Sequence, residues 1–266
     1  MILLTAQNFI DGQFHDVPHY LDSYDPSCGQ VWAKIPDSSE DEVNQAVAAA
    51  KTAFQSWSTT TAKYRSDIMN RIADRIESRL EHLAELESRD QGKPISLARQ
   101  VDIPRCVHNF RFFASLILHG TECSRVQDSP VRALNYVTRQ PLGVVALISP
   151  WNLPLYLLSF KIAPAIACGN TVVAKPSEFT SVTAYELAKI FVETGLPKGV
   201  VNVVFGTGPG AGEPLVRHPD VRAISFTGST ATGRRIAQIA AMTNKKVSLE
   251  AGLFISLRLL QGLRVD

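Results

Sequence analysis

Two glycine-rich turns are the parts of this sequence best suited to hold a phosphate. The first is Gly206-Thr207-Gly208-Pro209-Gly210-Ala211-Gly212, a GxGxxA match. The second, Phe226-Thr227-Gly228-Ser229-Thr230-Ala231-Thr232-Gly233, ends a strand-like run on glycine and opens a helical one. Free backbone amides and the positive end of a helix attract an anion at such junctions. The first loop is the weaker match. A dinucleotide fingerprint belongs in the first strand-to-helix turn and wants an acidic residue about 20 positions on, whereas the next strand here ends in Phe226-Thr227. With no ligand each loop is also an ordinary connection, and the Ser229 hydroxyl a helix cap.

Two further turns carry groups with chemical use. In Lys175-Pro176-Ser177-Glu178 a carboxylate can take both hydroxyls of an adenosine ribose and repel an added 2′-phosphate; the alternative is that Ser177 and Glu178 only begin a helix. In Pro150-Trp151-Asn152 the Asn amide can stabilise a developing oxyanion, or bond its own backbone. The four cysteines, Cys28, Cys106, Cys123 and Cys168, lie far apart with no CxxC pair, so neither a metal site nor a disulfide scaffold is expected. Cys168 reads as a small buried apolar residue ending a helix, with no His or Lys nearby to lower its pKa.

The elements that position these turns follow from periodicity. Runs at 144–149, 171–175, 200–205, 223–226 and 246–249 are short and continuously apolar, and alternate with helical stretches at 155–167, 180–194, 209–217 and 230–241. Strands covered by helices on both faces have that pattern, and the expected fold is a doubly wound parallel α/β sheet. Ligands of such sheets bind at the carboxyl ends of the strands, in the turns beginning at Ser149, Lys175, Gly206, Thr227 and Glu250. Before the sheet, residues 1–37 alternate apolar runs with Asp11-Gly12 and Asp25-Pro26 turns, as in a small antiparallel element. Ser39 and Glu42 form a capping box ahead of Val43, Ala46, Val47, Ala50 and Phe54 at helical spacing. One long helical stretch is expected over 63–90, with Ile68, Ile72, Ile76, Leu80, Leu83 and Leu86 on one face, and Pro104 introduces another over 105–119.

Composition narrows the function classes. The 266 residues are 45% apolar with a net charge of +2, which fits a packed globular protein and offers no basic stripe to nucleic acid. The uncharged stretch 140–160 is interrupted by Pro141, Pro150, Asn152 and Pro154, so it reads as strand, turn and helix rather than a membrane span. The N-terminus carries no basic segment ahead of its apolar run, and a reducing, cytoplasmic setting is expected.

Taken together, ISPWN, KPSE, FTGSTATG and SLE, in this order and spacing from about Asn8 to Glu250, closely resemble the aldehyde dehydrogenase superfamily. IPRCVHNFRFFA, ISPWNLPLYLLSFKIAPA and FGTGPGAGE are most similar to the branch that oxidises 2-aminomuconic and 2-hydroxymuconic semialdehydes. The resemblance implies a Rossmann-like NAD domain behind an N-terminal helical region, with NAD lying across the sheet. Its adenosine ribose would meet Lys175 and Glu178, its adenine Gly208-Pro209, and its pyrophosphate Gly228 and Ser229; Ser149, Trp151, Thr232 and Gly233 complete the implied cofactor set. Asn152 matches the oxyanion donor and Glu250 the general base, with no metal. The implied partners are a small aldehyde and, through strands at about 121–141, a second copy or a complete homologue.

The match stops at Glu250. The family continues with Leu-Gly-Gly-Lys into a catalytic domain bearing the nucleophilic cysteine, whereas residues 251–266 here form an unrelated tail. The expectation is a cofactor domain over 1–250, without the family's catalytic domain and without oxidising activity. The alternative is a non-catalytic module that binds NAD or joins an oligomer.

Overall fold

The computed structural model describes residues 3–121 and 123–252. Five short strands open the chain: β1 (Leu4–Thr5), β2 (Asn8–Ile10), β3 (Gln13–His15), β4 (Tyr20–Asp25) and β5 (Gln30–Pro36). Three helices follow, α1 (Glu40–Trp57), α2 (Ala62–Ser78) and α3 (Leu80–Gln91). A helical turn, α4 (Ile95–Leu97), runs through a π-helical segment (Ala98–Asp102) into α5 (Ile103–Leu116), and a hairpin of β6 (Ser124–Gln127) and β7 (Ala133–Tyr136) comes next. Strict alternation then begins: β8 (Val144–Ile148), α6 (Pro154–Ala167), β9 (Thr171–Lys175), α7 (Val182–Glu193), β10 (Val201–Val203), a π-helical turn (Gly208–Gly212) leading into α8 (Glu213–Arg217), β11 (Val221–Gly228), α9 (Thr230–Met242) and β12 (Lys246–Ala251).

The main sheet has the order β12-β11-β8-β9-β10-β2-β3, and every pairing from β12 to β10 is parallel. The chain starts in the middle at β8, winds outward through β9 and β10, then returns to add β11 and β12 on the other side. The strand order therefore reverses between β8 and β11. Their carboxyl ends flank the crevice in which doubly wound sheets bind ligands. The sheet is not purely parallel as expected, because β2 and β3 add antiparallel strands beyond β10. Asn8 makes that join: its side chain accepts from the Phe205 amide and donates to the Ser38 hydroxyl. An exchange between residues nearly two hundred positions apart leaves no trace in local periodicity.

Helices cover both faces. On one, α1, α8 and α9 pack against Val144, Ala146, Val173, Ile224 and Phe226. On the other, α6 and α7 cover Val145, Leu147, Val172 and Ala174, with α2, α3 and α5 behind them. Trp57 ties the layers together, its fully buried indole donating to the Ile166 carbonyl at 3.2 Å. The edge strand β12 is exposed along its whole length, unlike the fully buried strand expected, because among the described residues only β11 pairs with it.

The capping box at Ser39 and Glu42 forms as expected, and Val43, Ala46, Val47 and Ala50 are buried. The single helix expected over 63–90 is instead two. Arg79 leaves helical geometry at φ −111°, ψ 16°, closing α2 and opening α3, in which Leu83 is still buried. Of the tail, residues 253–266 lie outside the described residues. Among the described residues no helix is long and apolar enough to cross a membrane.

Candidate cofactor and active site

The carboxyl ends of β8, β9, β10 and β11 bring together turns scattered over eighty residues. Lys175 closes β9 and is only 3% exposed. Its ammonium donates to the Pro176 carbonyl at 3.0 Å and to the Glu178 carboxylate at 3.2 Å. Burial lowers the Lys175 pKa below the ordinary lysine value, and the Glu178 charge opposes that shift. Glu178 itself stays partly open to solvent, so the pair presents a donor and an acceptor side by side.

Beside it lies a cavity of about 230 Å³ bounded by Ile148, Lys175, Gly208, Pro209, Gly212, Glu213, Val216, Thr232, Arg235, Ile236 and Ile239. Val216 from α8 and Ile236 and Ile239 from α9, with Ile148 and Pro209, give it an apolar wall that suits a flat aromatic ring. Arg235 spans the rim to the Glu213 carboxylate with two hydrogen bonds. Pockets that enclose a whole drug-sized ligand hold roughly 300–1,000 Å³. At about 230 Å³ this one is smaller than that range.

That edge leads to Gly228, where β11 hands over to α9. A Cβ placed on Gly228 would lie 2.5 Å from the Phe226 ring, so only glycine fits there. Ser229 caps the helix, its hydroxyl accepting from the Thr232 amide at 3.2 Å. Capping uses the hydroxyl as an acceptor and leaves its O–H, 2.9 Å from the Thr232 hydroxyl, able to donate, so the cap is compatible with a phosphate met by that hydroxyl, the backbone amides and the helix end. Replacing Ser229 by Ala is expected to cost about 1 kcal/mol of stability, and by Gly only a few tenths; thermal unfolding of the two variants checks this. Gly233 is buried one turn on, facing Ala251 and Phe226.

The candidate catalytic groups are Asn152 and Glu250, and two residues of the expected cofactor set, Ser149 and Trp151, lead into the first of them. Ser149 is buried after β8, its amide donating to the Lys175 carbonyl at 3.3 Å. Trp151 and Asn152 follow, half-buried, in the turn that opens α6, and the Trp151 carbonyl accepts from the Thr180 hydroxyl at 3.4 Å. Glu250 lies within β12 opposite Thr227, rather than in the turn after the strand, and its carboxylate accepts from the Thr227 hydroxyl at 3.0 Å. Strand alternation places Glu250 on the α6 side with Lys246 and Ser248. A second cavity, about 430 Å³, joins it there to Lys161, Ser225 and Cys168. Burial lowers the Lys161 pKa, the Glu250 charge acting against it, and its ammonium donates to Ser225 at 2.9 Å.

Cys168 corrects a reading of the sequence. It is exposed, not buried, because α6 ends at Ala167 and turns its last residue toward this second cavity.

A family model for the aldehyde dehydrogenase family matches residues 15–253. The chain belongs to that family. The 2-aminomuconic semialdehyde dehydrogenase of Bos taurus is 57% identical over 251 residues, 94% of this chain and 51% of that protein. The 2-aminomuconic 6-semialdehyde dehydrogenase of a Pseudomonas species is 45% identical over 92% of this chain and 51% of its own length. A Bacillus cereus aldehyde dehydrogenase solved as its NAD+ complex superposes with a TM-score of 0.89 at 38% identity, covering 93% of this chain and 51% of that one. This aldehyde dehydrogenase chain thus spans about half the length of the relatives it matches.

Sequence reading missed three charged residues beneath the Asn152 turn of this aldehyde dehydrogenase. Lys93, Glu87 and Asp102 are buried together, with Lys93 in contact with the Asp102 carboxylate and 3.8 Å from Glu87. A signal was present: Glu87 falls four residues after Leu83, a spacing that keeps it on the apolar face of α3.

Proposed function

We propose that this chain binds NAD along the carboxyl edge of its sheet and carries the oxyanion-stabilising and general-base groups of a dehydrogenase acting on an aldehyde of the 2-aminomuconate semialdehyde kind. The observation that carries this reading is the convergence of Lys175, Gly208, Pro209 and Thr232, from separate sequence motifs, on one cavity. The residues present fit the cofactor: Lys175 and Glu178 would hold ribose hydroxyls, the apolar wall would take adenine, and the Gly228 turn would let the pyrophosphate approach the α9 amides. When bound, NAD accepts hydride from the aldehyde carbon.

The chain's own residues then divide the remaining work. The Asn152 amide donates to the oxygen that gains charge, and such a donor is worth about 3–4 kcal/mol where it is pre-positioned. Glu250, already hydrogen-bonded to Thr227, takes a proton from the water that hydrolyses an acyl intermediate. That intermediate requires a thiolate, and the cysteines of this chain are poorly placed to give one. Cys168 lies at the far end of α6 from Asn152, about 20 Å away at 1.5 Å per residue. The Cys106 thiol is pushed up to about 12 by burial. Cys28 sits between β4 and β5, and Cys123 just before β6.

The expected outcome for the purified chain is NAD binding without aldehyde-dependent NADH formation, and no rate altered by Glu250→Gln. Steady NADH production abolished by that substitution would contradict the reading. A second reading, a module that joins the oligomer of a complete homologue, is favoured by the β6–β7 hairpin, where Val126, Leu134 and Tyr136 are exposed together. Light scattering of the chain mixed with a full-length relative tests it: co-assembly supports this role, and separate species refute it.

A further inference from the structure

We propose that Lys93 is a positioning residue for Asn152: its buried ammonium, anchored by Asp102, donates to the Asn152 main-chain carbonyl and fixes where that side chain stands. The contact is 3.4 Å long and is made by a lysine whose side chain is 6% exposed. Glu87 braces the same turn from below. Its carboxylate accepts from the Leu155 amide, in the first turn of α6, at 3.3 Å, and from the Thr183 hydroxyl of α7 at 2.6 Å. Three elements, α3, the π-helical segment before α5, and α7, thus converge on the junction between β8 and α6.

Simple packing does not account for these charges. Carrying one ammonium and two carboxylates into the interior is expensive, and apolar residues of equal volume would serve stability as well or better. What such a cluster adds is direction, since an ammonium that must satisfy a carboxylate and a carbonyl allows the turn one arrangement. Burial raises the Glu87 pKa to about 7, with Lys93 opposing that rise and Asp102 adding to it. Among the described residues, Cys106 on α5 also faces Glu87. Above neutral pH Glu87 gains charge and competes with the Asn152 carbonyl for the Lys93 ammonium. The placement of Asn152 then becomes pH-sensitive. The catalytic meaning of this device rests on Asn152 being the oxyanion donor, but the device itself is read out without substrate.

The test is amide NMR on the full chain. The side-chain amide signals of Asn152 and the backbone amide of Leu155 are expected to titrate together with a midpoint near pH 7, and Glu87→Gln is expected to abolish that titration. Lys93→Met alone leaves Asp102 buried without its partner and risks unfolding, so the paired variant Lys93→Met/Asp102→Asn is the informative one. It is expected to shift the Asn152 side-chain signals and speed Leu155 exchange at least tenfold, while amides in β9 keep their protection. Unchanged Asn152 and Leu155 signals in the paired variant, or equal loss of protection throughout the sheet, would overturn the proposal. If instead these signals move as expected while Asn152 proves irrelevant to any aldehyde chemistry, the positioning stands and the oxyanion assignment falls.

Discussion

Gly228→Ala is expected to lower stability by about 1–3 kcal/mol, the usual cost of forcing a methyl into a filled core, and to reduce NAD affinity more than tenfold. The built Cβ lies 2.5 Å from the tip of the Phe226 ring, and that ring is only 4% exposed. It cannot swing freely into solvent, because it shares a buried cluster with Ile236 and Ile239, which also line the cavity proposed for adenine. The substitution therefore moves the turn, the first turn of α9 and one cavity wall at once. Urea unfolding and NAD titration of the variant check both effects. An unchanged midpoint with full binding would mean that the turn has slack and does not cradle the pyrophosphate.

Lys175→Ala is expected to weaken NAD binding by about 10- to 150-fold, corresponding to roughly 1.5–3 kcal/mol for a hydrogen bond from a charged group. Lys175 is held against Pro176 and Glu178 before any ligand arrives, so little of that interaction is spent on ordering the side chain. Removing it also frees Glu178 from its partner. Glu178→Gln, which keeps the shape and loses the charge, should cost less, about 0.5–1.5 kcal/mol as for one neutral hydrogen bond. Titration calorimetry on the two variants separates the roles. Equal and small losses would place the ribose elsewhere.

The gathering of these turns at one edge was legible in the sequence because each motif sits at the carboxyl end of a strand, and strand ends are what a doubly wound sheet brings together. KPSE, GTGPG and FTGST needed only the order of the strands to be brought to one edge. The Asn152 turn was legible in the same way. Its foundations were not. Lys93, Glu87 and Asp102 act through contacts between α3, α6, α7 and the segment before α5, and pairing across elements leaves no local pattern beyond one acid on an apolar face. The break at Arg79 was hidden because Leu80, Leu83 and Leu86 carry the apolar spacing straight through it. Cys168 was misread for a similar reason: composition gives the end of α6, but not the direction in which its last residue faces.

The most direct test of the central claim is a paired titration of the whole folded chain with NAD and with NADP. Glu178, beside the proposed ribose position and partly open to solvent, would repel a 2′-phosphate, so NAD is predicted to bind and NADP to bind clearly more weakly, with the difference reduced in Glu178→Gln. NADP binding as tightly as NAD, or a cooperatively folded chain that binds neither, would contradict the account.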